Sequence, residues 1–260
     1  MTSAHNGNHA AYFAFRDELL GPLRAVMLTG QQLCEAGRLL HARPEGLSLY
    51  GIPAPEMELR GIQLLGRTAI ESVTDSHAAA VAAAAAEVCP PGGNAMIVDL
   101  FCGSGNFGLH LGRRLGRPAY ASEIDPDVYR ATRNNLHKIG DSTLELNQLD
   151  YRALLATLPS RSDHDIYAVE PPWGPAFTAA GLDLTRTSPP VREIIDDIRR
   201  SRNGRPCLVA IKTNDQTAHD SLARCFTDAQ HLRSLTPRPT LPPGANMNYH
   251  LYRLCPVHGA

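Results

Sequence analysis

The sequence lacks a long hydrophobic run, any cysteine pairing pattern and any surplus of charge, and it holds a single tryptophan. Each shortage excludes something. A bilayer-spanning helix needs about 20 consecutive apolar residues. The longest apolar run here, Ala78 to Ala86, is nearly all alanine and closes on Glu87, so no membrane partner is expected. The six cysteines (Cys34, Cys89, Cys102, Cys207, Cys225, Cys255) show neither C-x-x-C nor His/Cys clustering at ligand spacing. That argues against a disulfide framework and against a zinc site, so the thiols are read as reduced and no metal is expected. With 25 Lys and Arg against 26 Asp and Glu, the chain has no overall field to attract a polyanion. A local basic patch could still hide in a neutral total, so nucleic acid is disfavoured as a partner but stays open. The opening M-T-S-A-H-N-G-N-H-A has no basic flank and no leucine-rich centre, unlike a secretory leader, and a cytoplasmic location is expected.

What is present is enough apolar material, 43% of 260 residues, for one large domain or one domain with a smaller attachment. Tyr12 to His41 carries apolar residues at helical spacing, interrupted at Gly21-Pro22 and Gly30, which predicts two or three helices. Pro44 to Pro55 reads as a loop with room for one short strand, and residues 57 to 71 are ambiguous. Thr74-Asp75-Ser76 supplies N-cap candidates for an alanine-rich helix to about Val88, which Pro90-Pro91-Gly92-Gly93 ends.

Beyond that point, short apolar runs (95–101, 118–123, 144–149, 166–169, 207–211) alternate with helical segments (106–115, 126–139, 151–158, 189–202). Strands alternating with helices in this way build a mostly parallel sheet covered on both faces. Residues 231–235 and 248–254 add a hairpin. The expected fold is therefore α/β, a doubly wound, mostly parallel, seven-stranded Rossmann-like sheet with an antiparallel C-terminal hairpin. Residues 1–72 would form an N-terminal helical cap that shapes the substrate side, and 73–260 the catalytic domain.

In such a sheet, ligands bind beyond the carboxyl ends of the strands. There the chain reads D-L-F-C-G-S-G-N-F-G from Asp99 to Gly108. The spacing of Gly103, Gly105 and Gly108 matches G-x-G-x-x-G, a weak signal on its own, and a tight turn needing glycine and nothing more is the plain alternative. Asp99 just before the turn would repel a diphosphate but accept hydrogen bonds from an ammonium group. Glu123, in S-E-I-D-P, follows about 20 residues later, where an acid meets ribose hydroxyls. Asp150, in Q-L-D-Y, could accept from an adenine amino group while Ile124 packs on the ring. Asp125 reads as the N-cap of the next helix.

In that order, together with V-E-P-P-W-G at 169–174, these segments resemble the class I S-adenosylmethionine-dependent methyltransferases over about residues 95 to 215. The resemblance implies S-adenosylmethionine as cofactor. It places the methionine moiety on Asp99 and the loop Gly103, Ser104, Gly105 and Asn106, flanked by Phe101 and Cys102. The ribose falls to Glu123, and the adenine to Ile124, Asp150 and Tyr151. It also implies that Glu170, Pro171, Pro172 and Trp173 form the acceptor turn of an amino-methyltransferase. The nearest local pattern is the trimethylguanosine synthase type, from which this chain departs by carrying Glu170 where that group has serine.

Two prolines stiffen the exit from the strand and fix the direction of its carbonyls. A carboxylate accepts only, so Glu170 suits an amine or ammonium better than an aromatic amide. The first expectation is N-methylation of a small-molecule amine in biosynthesis. Transfer of a 3-amino-3-carboxypropyl group, or cyclisation of that group, would need a nucleophile placed only slightly differently. An RNA or guanine-N2 methyltransferase, and a cofactor-binding scaffold without chemistry, are the other readings. Tyr12, Phe13, Phe15 and Tyr50, the 246–250 segment, and Lys212-Thr213-Asn214 are further candidates for the substrate side.

Overall fold

The structure is a computed structural model that describes residues 3–89, 93–178, 181–218, 220–237 and 244–256. The expected stop at Pro90-Pro91-Gly92 and the middle of the last hairpin loop, 238–243, lie outside the described residues. The chain opens with α1 (Ser3–Leu20) and α2 (Gly30–His41). Gly30 starts α2 rather than breaking it, because Thr29 and Gln32 close a reciprocal capping box there. A small hairpin follows, β1 (Ser48–Leu49) with β2 (Ile52–Pro53), where one short strand was expected. The ambiguous stretch resolves into α3 (Ala54–Met57) and α4 (Gly66–Glu71), and the alanine-rich helix is α5 (Asp75–Val88).

The remainder runs β3 (Ile97–Asp99), α6 (Asn106–Leu115), β4 (Ala119–Ser122), α7 (Pro126–Ile139), β5 (Leu144–Asn147), α8 (Tyr151–Thr157) and β6 (Ile166–Val169). After a small hairpin, β7 (Phe177–Thr178) with β8 (Gly181–Leu182), come α9 (Val191–Ser201), β9 (Cys207–Asn214), α10 (Ser221–Cys225), β10 (Ala229–Leu235) and β11 (Met247–Leu254). The main sheet has seven strands in the order β10-β11-β9-β6-β3-β4-β5. β5, β4, β3, β6 and β9 run parallel, while β11 joins β9 antiparallel and β10 completes the hairpin.

Period-2 alternation sends successive strand residues to opposite faces. Ile97, Ile166 and Ala168 pack on one side with α5 and α6, in a core that runs on into Leu19 of α1 and Leu33 of α2. Val98, Tyr167 and Val169 pack on the other against α8 and α9. On α9 the buried residues are Val191, Ile194, Ile195 and Ile198, the i, i+3, i+4, i+7 stripe of a helix lying on a sheet. Both faces are thus covered, which is why these strands read as continuous apolar runs. Among the described residues no helix is long and apolar enough to cross a membrane.

The chain leaves β3 toward β4 and β5 on one side, then crosses back to β6 and β9 on the other. The gap beyond the carboxyl ends of β3 and β6 is the place where this topology leaves a crevice.

Candidate functional site

A cavity of about 590 Å³ occupies that crevice. Its floor is the ends of β3, β4, β6 and β9, and its roof comes from α1 with Tyr12 and Arg16, the turn after α1 with Arg24, and α4 with Arg67. Most of the residues singled out in the sequence meet here: Asp99, Phe101, Cys102, Gly103, Ser104, Glu123, Ile124, Asp150, Tyr151, Glu170, Pro171, Pro172 and Trp173.

Asp99 ends β3 and is only 1% exposed. One of its oxygens accepts the backbone N–H of Gly108 at 3.0 Å. A side chain at 108 would press its Cβ to 3.0 Å from the Asp99 side chain, so glycine is what allows this approach. Burial pushes the Asp99 carboxyl up to about 7, and the charge of Glu170 adds to the effect. Gly103 has φ of +51°, a left-handed backbone that glycine adopts freely, and a Cβ built there would meet no atom within 4 Å. Its missing side chain leaves open space beside the turn.

Glu123, at the end of β4, accepts the backbone N–H of Gly103 at 3.1 Å and that of Asp125 at 2.8 Å. A carboxylate offers about four lone-pair sites, so capacity remains. Burial raises its carboxyl, opposed chiefly by the Asp125 N–H and Arg67. Ile124 beside it is 67% exposed, an apolar surface with nothing packed over it. Asp125 caps α7 as expected, accepting from the N–H groups of Asp127 and Val128. Asp150 caps α8 through the Arg152 N–H at 2.9 Å. Next to it the Tyr151 hydroxyl donates to Asp197 at 2.6 Å, while its ring lies 5.0 Å from Phe101.

Glu170 leaves β6, and Lys212 of β9 donates to its Oε2 at 3.4 Å. Oε1 is buried and has no hydrogen-bond partner among the described residues. Burial raises the Glu170 carboxyl and Lys212 opposes the rise. Lys212 also donates to the carbonyl of Glu71, which ties it to the roof. Two carboxyl groups, Asp99 fully buried and Glu170 largely so, therefore face the cavity with one ammonium group beside them. Beyond Glu170, Pro171 is buried, and Trp173 leans on Phe177 with ring centroids 6.2 Å apart.

Some candidates stand elsewhere. Gly105 and Asn106 belong to the turn but not to the cavity wall. Asn106 accepts the backbone N–H of Tyr50 at 2.9 Å and donates to the carbonyl of Val73 at 2.9 Å. Its side chain thus fastens the N-terminal segment to the sheet. Tyr50 does the same from the other side, donating its hydroxyl to the Ser104 carbonyl. Of the aromatics proposed for the substrate side only Tyr12 lines the cavity, while Phe13 and Phe15 pack against the core. His250 lies between Thr213 at 3.1 Å and Ser234 at 2.8 Å, with burial lowering its pKa to about 4. Met247 is the part of the 246–250 segment that reaches the cavity. The roof residues Arg16, Arg24 and Arg67 carry no local signal that marks them in the sequence.

No protein-family model matches the chain. The tRNA (guanine(37)-N(1))-methyltransferase of Heterostelium pallidum is 31% identical over 93 residues, 36% of this chain, and the match spans only 20% of that protein's length. A Listeria monocytogenes protein described, provisionally, as a class I S-adenosylmethionine-dependent methyltransferase superposes over 98% of this chain and 90% of its own. The TM-score is 0.56 at 14% identity. MtNAS in complex with MTA and tNA covers 94% of this chain and 76% of its own, with a TM-score of 0.49 and 14% identity. The chain has the fold of the class I S-adenosylmethionine-dependent methyltransferases.

Proposed function

We propose that the protein is an S-adenosylmethionine-dependent transferase that methylates an amine, with residues 1–72 closing the substrate side of a catalytic domain formed by 73–260. The observation that carries this reading is the buried Oε1 of Glu170, without a hydrogen-bond partner among the described residues, beside a second buried carboxyl, Asp99, in one cavity. Buried polar atoms are nearly always satisfied, and buried charges are paired. A cavity floored by one acid with an unpartnered oxygen and by a second acid bonded to backbone N–H groups suits a ligand that brings positive charge and N–H donors.

The residues fit the cofactor group by group. Asp99 would take the ammonium of the methionine moiety, with the Gly103 and Ser104 backbone alongside. Glu123 has lone pairs left for the ribose hydroxyls, and the exposed face of Ile124 would lie under the adenine with Asp150 and Tyr151 at its edge. When bound, S-adenosylmethionine supplies a methyl group that its sulfonium has already activated.

What remains for the chain is alignment, exclusion of water and management of one proton. Pro171 and Pro172 fix the backbone that carries Glu170, and Trp173 offers a ring for the acceptor to lie against. Oε1 of Glu170 accepts an N–H of the acceptor amine, orients its lone pair, and receives the proton that nitrogen releases. Burial serves this role by raising the carboxyl toward the range of a base. Lys212 holds Oε2 and so leaves Oε1 as the free acceptor.

A second reading, RNA methylation, is favoured by the partial similarity to the tRNA guanine methyltransferase. It predicts binding that weakens steeply with salt, because phosphate contacts release counterions.

The test is incubation of the full chain with S-adenosylmethionine and amines or tRNA, with products identified by mass. Methylated amine with S-adenosylhomocysteine supports the reading. Methylthioadenosine as co-product would mean that the aminocarboxypropyl carbon is attacked instead. In the same assay Glu170→Gln is expected to lower kcat by about 10²- to 10⁴-fold while cofactor affinity measured by calorimetry stays close to wild type. Equal loss of both would place Glu170 in cofactor binding.

A further inference from the structure

The roof of the cavity carries arginines above an acidic floor, and these arginines are not equivalent. Arg67 is committed, donating to Glu71 and to Asp125, both at 3.1 Å. Lys212 is committed to Glu170 and the Glu71 carbonyl. Arg16 differs. It lies one turn beyond Tyr12 on α1, on the same helical face, and both side chains line the cavity. Its carboxylate contact is its chain neighbour Asp17 at 3.2 Å, whose own side chain is 73% exposed to water. Such a contact holds a guanidinium weakly.

The Arg16 guanidinium is positioned by an aromatic ring instead. Its central carbon sits 5.4 Å from the centroid of Phe177, the residue that packs on Trp173. A cation–π contact engages the charge of a guanidinium without using its N–H groups, so those beyond the one given to Asp17 stay available to a carboxylate. Arg16 thus belongs to the Trp173 and Phe177 side of the cavity, whereas Arg67 is drawn to Glu123 and Asp125 on the other.

We propose that Arg16, set against the Phe177 ring, reads the carboxylate of the acceptor, so that the acceptor is an amino acid: an amine for Glu170 and a carboxylate for Arg16 in one molecule. This rests on the transferase reading above and narrows its substrate class. A neutral or purely cationic amine would leave Arg16 facing the cavity without an anion. The other source of the same chemistry is the carboxylate of the cofactor itself, and the experiment separates the two.

Trp173 is the only tryptophan in the chain, so fluorescence reports on this part of the cavity alone. The full-length protein, saturated with S-adenosylhomocysteine, is titrated with glycine, β-alanine and 4-aminobutyrate, then with the corresponding amides. The wild type is expected to bind its preferred amino acid about 10- to 100-fold more tightly than the matching amide, the range for a charge-assisted pair. Arg16→Gln should erase that gap while leaving amide binding unchanged, and Arg16→Lys should restore part of it. Equal binding of acids and amides, no response to any of the acids, or a gap that survives in Arg16→Gln each overturns the proposal.

Calorimetry with S-adenosylmethionine on the same proteins completes the test. Unchanged affinity in Arg16→Gln is expected. A loss there instead assigns Arg16 to the cofactor carboxylate and overturns the acceptor assignment with the transferase reading intact. Failure of the wild type to bind S-adenosylmethionine or S-adenosylhomocysteine at all would bring down that reading itself.

Discussion

The two ends of strand β6 carry an acid each, and the acids are treated in opposite ways. Asp165, just before the strand, is fully buried and fully engaged. It accepts from the backbone N–H groups of Met96, Arg161 and Ser162, and from Arg202 at 2.7 Å in an ion pair with no exposed side-chain surface on either partner. Glu170, just after the strand, shares one lysine and keeps an oxygen without a partner among the described residues. The amino end of the sheet uses charge to lock adjacent segments together. The carboxyl end holds charge in reserve at Glu170, while Asp99 on the neighbouring strand is held by backbone N–H groups. The difference separates a joint from a site more clearly than burial alone, since all three acids are buried or nearly so.

The largest effect that would break this contrast is expected at the joint. Arg202→Ala strands Asp165 in the interior, and removing one partner of a buried pair costs roughly 3 to 5 kcal/mol. Chemical denaturation should therefore show a much lower unfolding midpoint, and a small change would mean that Asp165 is less dependent on its ion pair than its geometry says.

At the site the sign should reverse. The folded Asp99 carboxyl keeps its proton up to about pH 7, whereas in the unfolded chain it releases it near the ordinary carboxylate value. Folding is thus favoured below that window, and the contribution disappears as pH rises through about 7. Asp99→Asn, which keeps an oxygen for the Gly108 N–H, should stabilise the ligand-free protein at pH 8 by as much as about 4 kcal/mol while abolishing S-adenosylmethionine binding. A thermal melt and a calorimetric titration check the two halves separately.

The smallest effect sharpens the comparison further. If Asp99 meets the ammonium of the ligand, affinity should be highest above pH 7 and fall by up to about tenfold per unit as pH drops below it, until the liganded carboxyl itself protonates. A flat calorimetric profile from pH 8 to 6 would separate the ligand from Asp99.

Much of this is legible in the sequence. Strands buried on both faces are continuous apolar runs, and helices laid on a sheet show a clean stripe, so the elements from 97 to 211 stand close to where the pattern puts them. The acids at strand ends are legible because the topology sends those ends to one crevice. Partnership is not. Lys212 lies 42 residues from Glu170, and nothing local marks it as the companion of that carboxylate. Asn106 sits inside the glycine motif, yet its side chain faces Tyr50 and Val73, because the docking of a distant segment decides which way it turns. For the same reason Phe13, Phe15 and Tyr50 could not be told from Tyr12 by spacing. Which side of α1 looks into the cavity depends on how that helix lies across the sheet.

The clasp between the N-terminal hairpin and the glycine turn makes these two parts a matched set. Tyr50 grips the Ser104 carbonyl, and Asn106 grips the Tyr50 amide in return. Transplanting residues 1–72 onto another sheet of this fold would require carrying both halves of that handshake. A recombinant that keeps one and loses the other would carry a hairpin no longer fastened to the glycine turn.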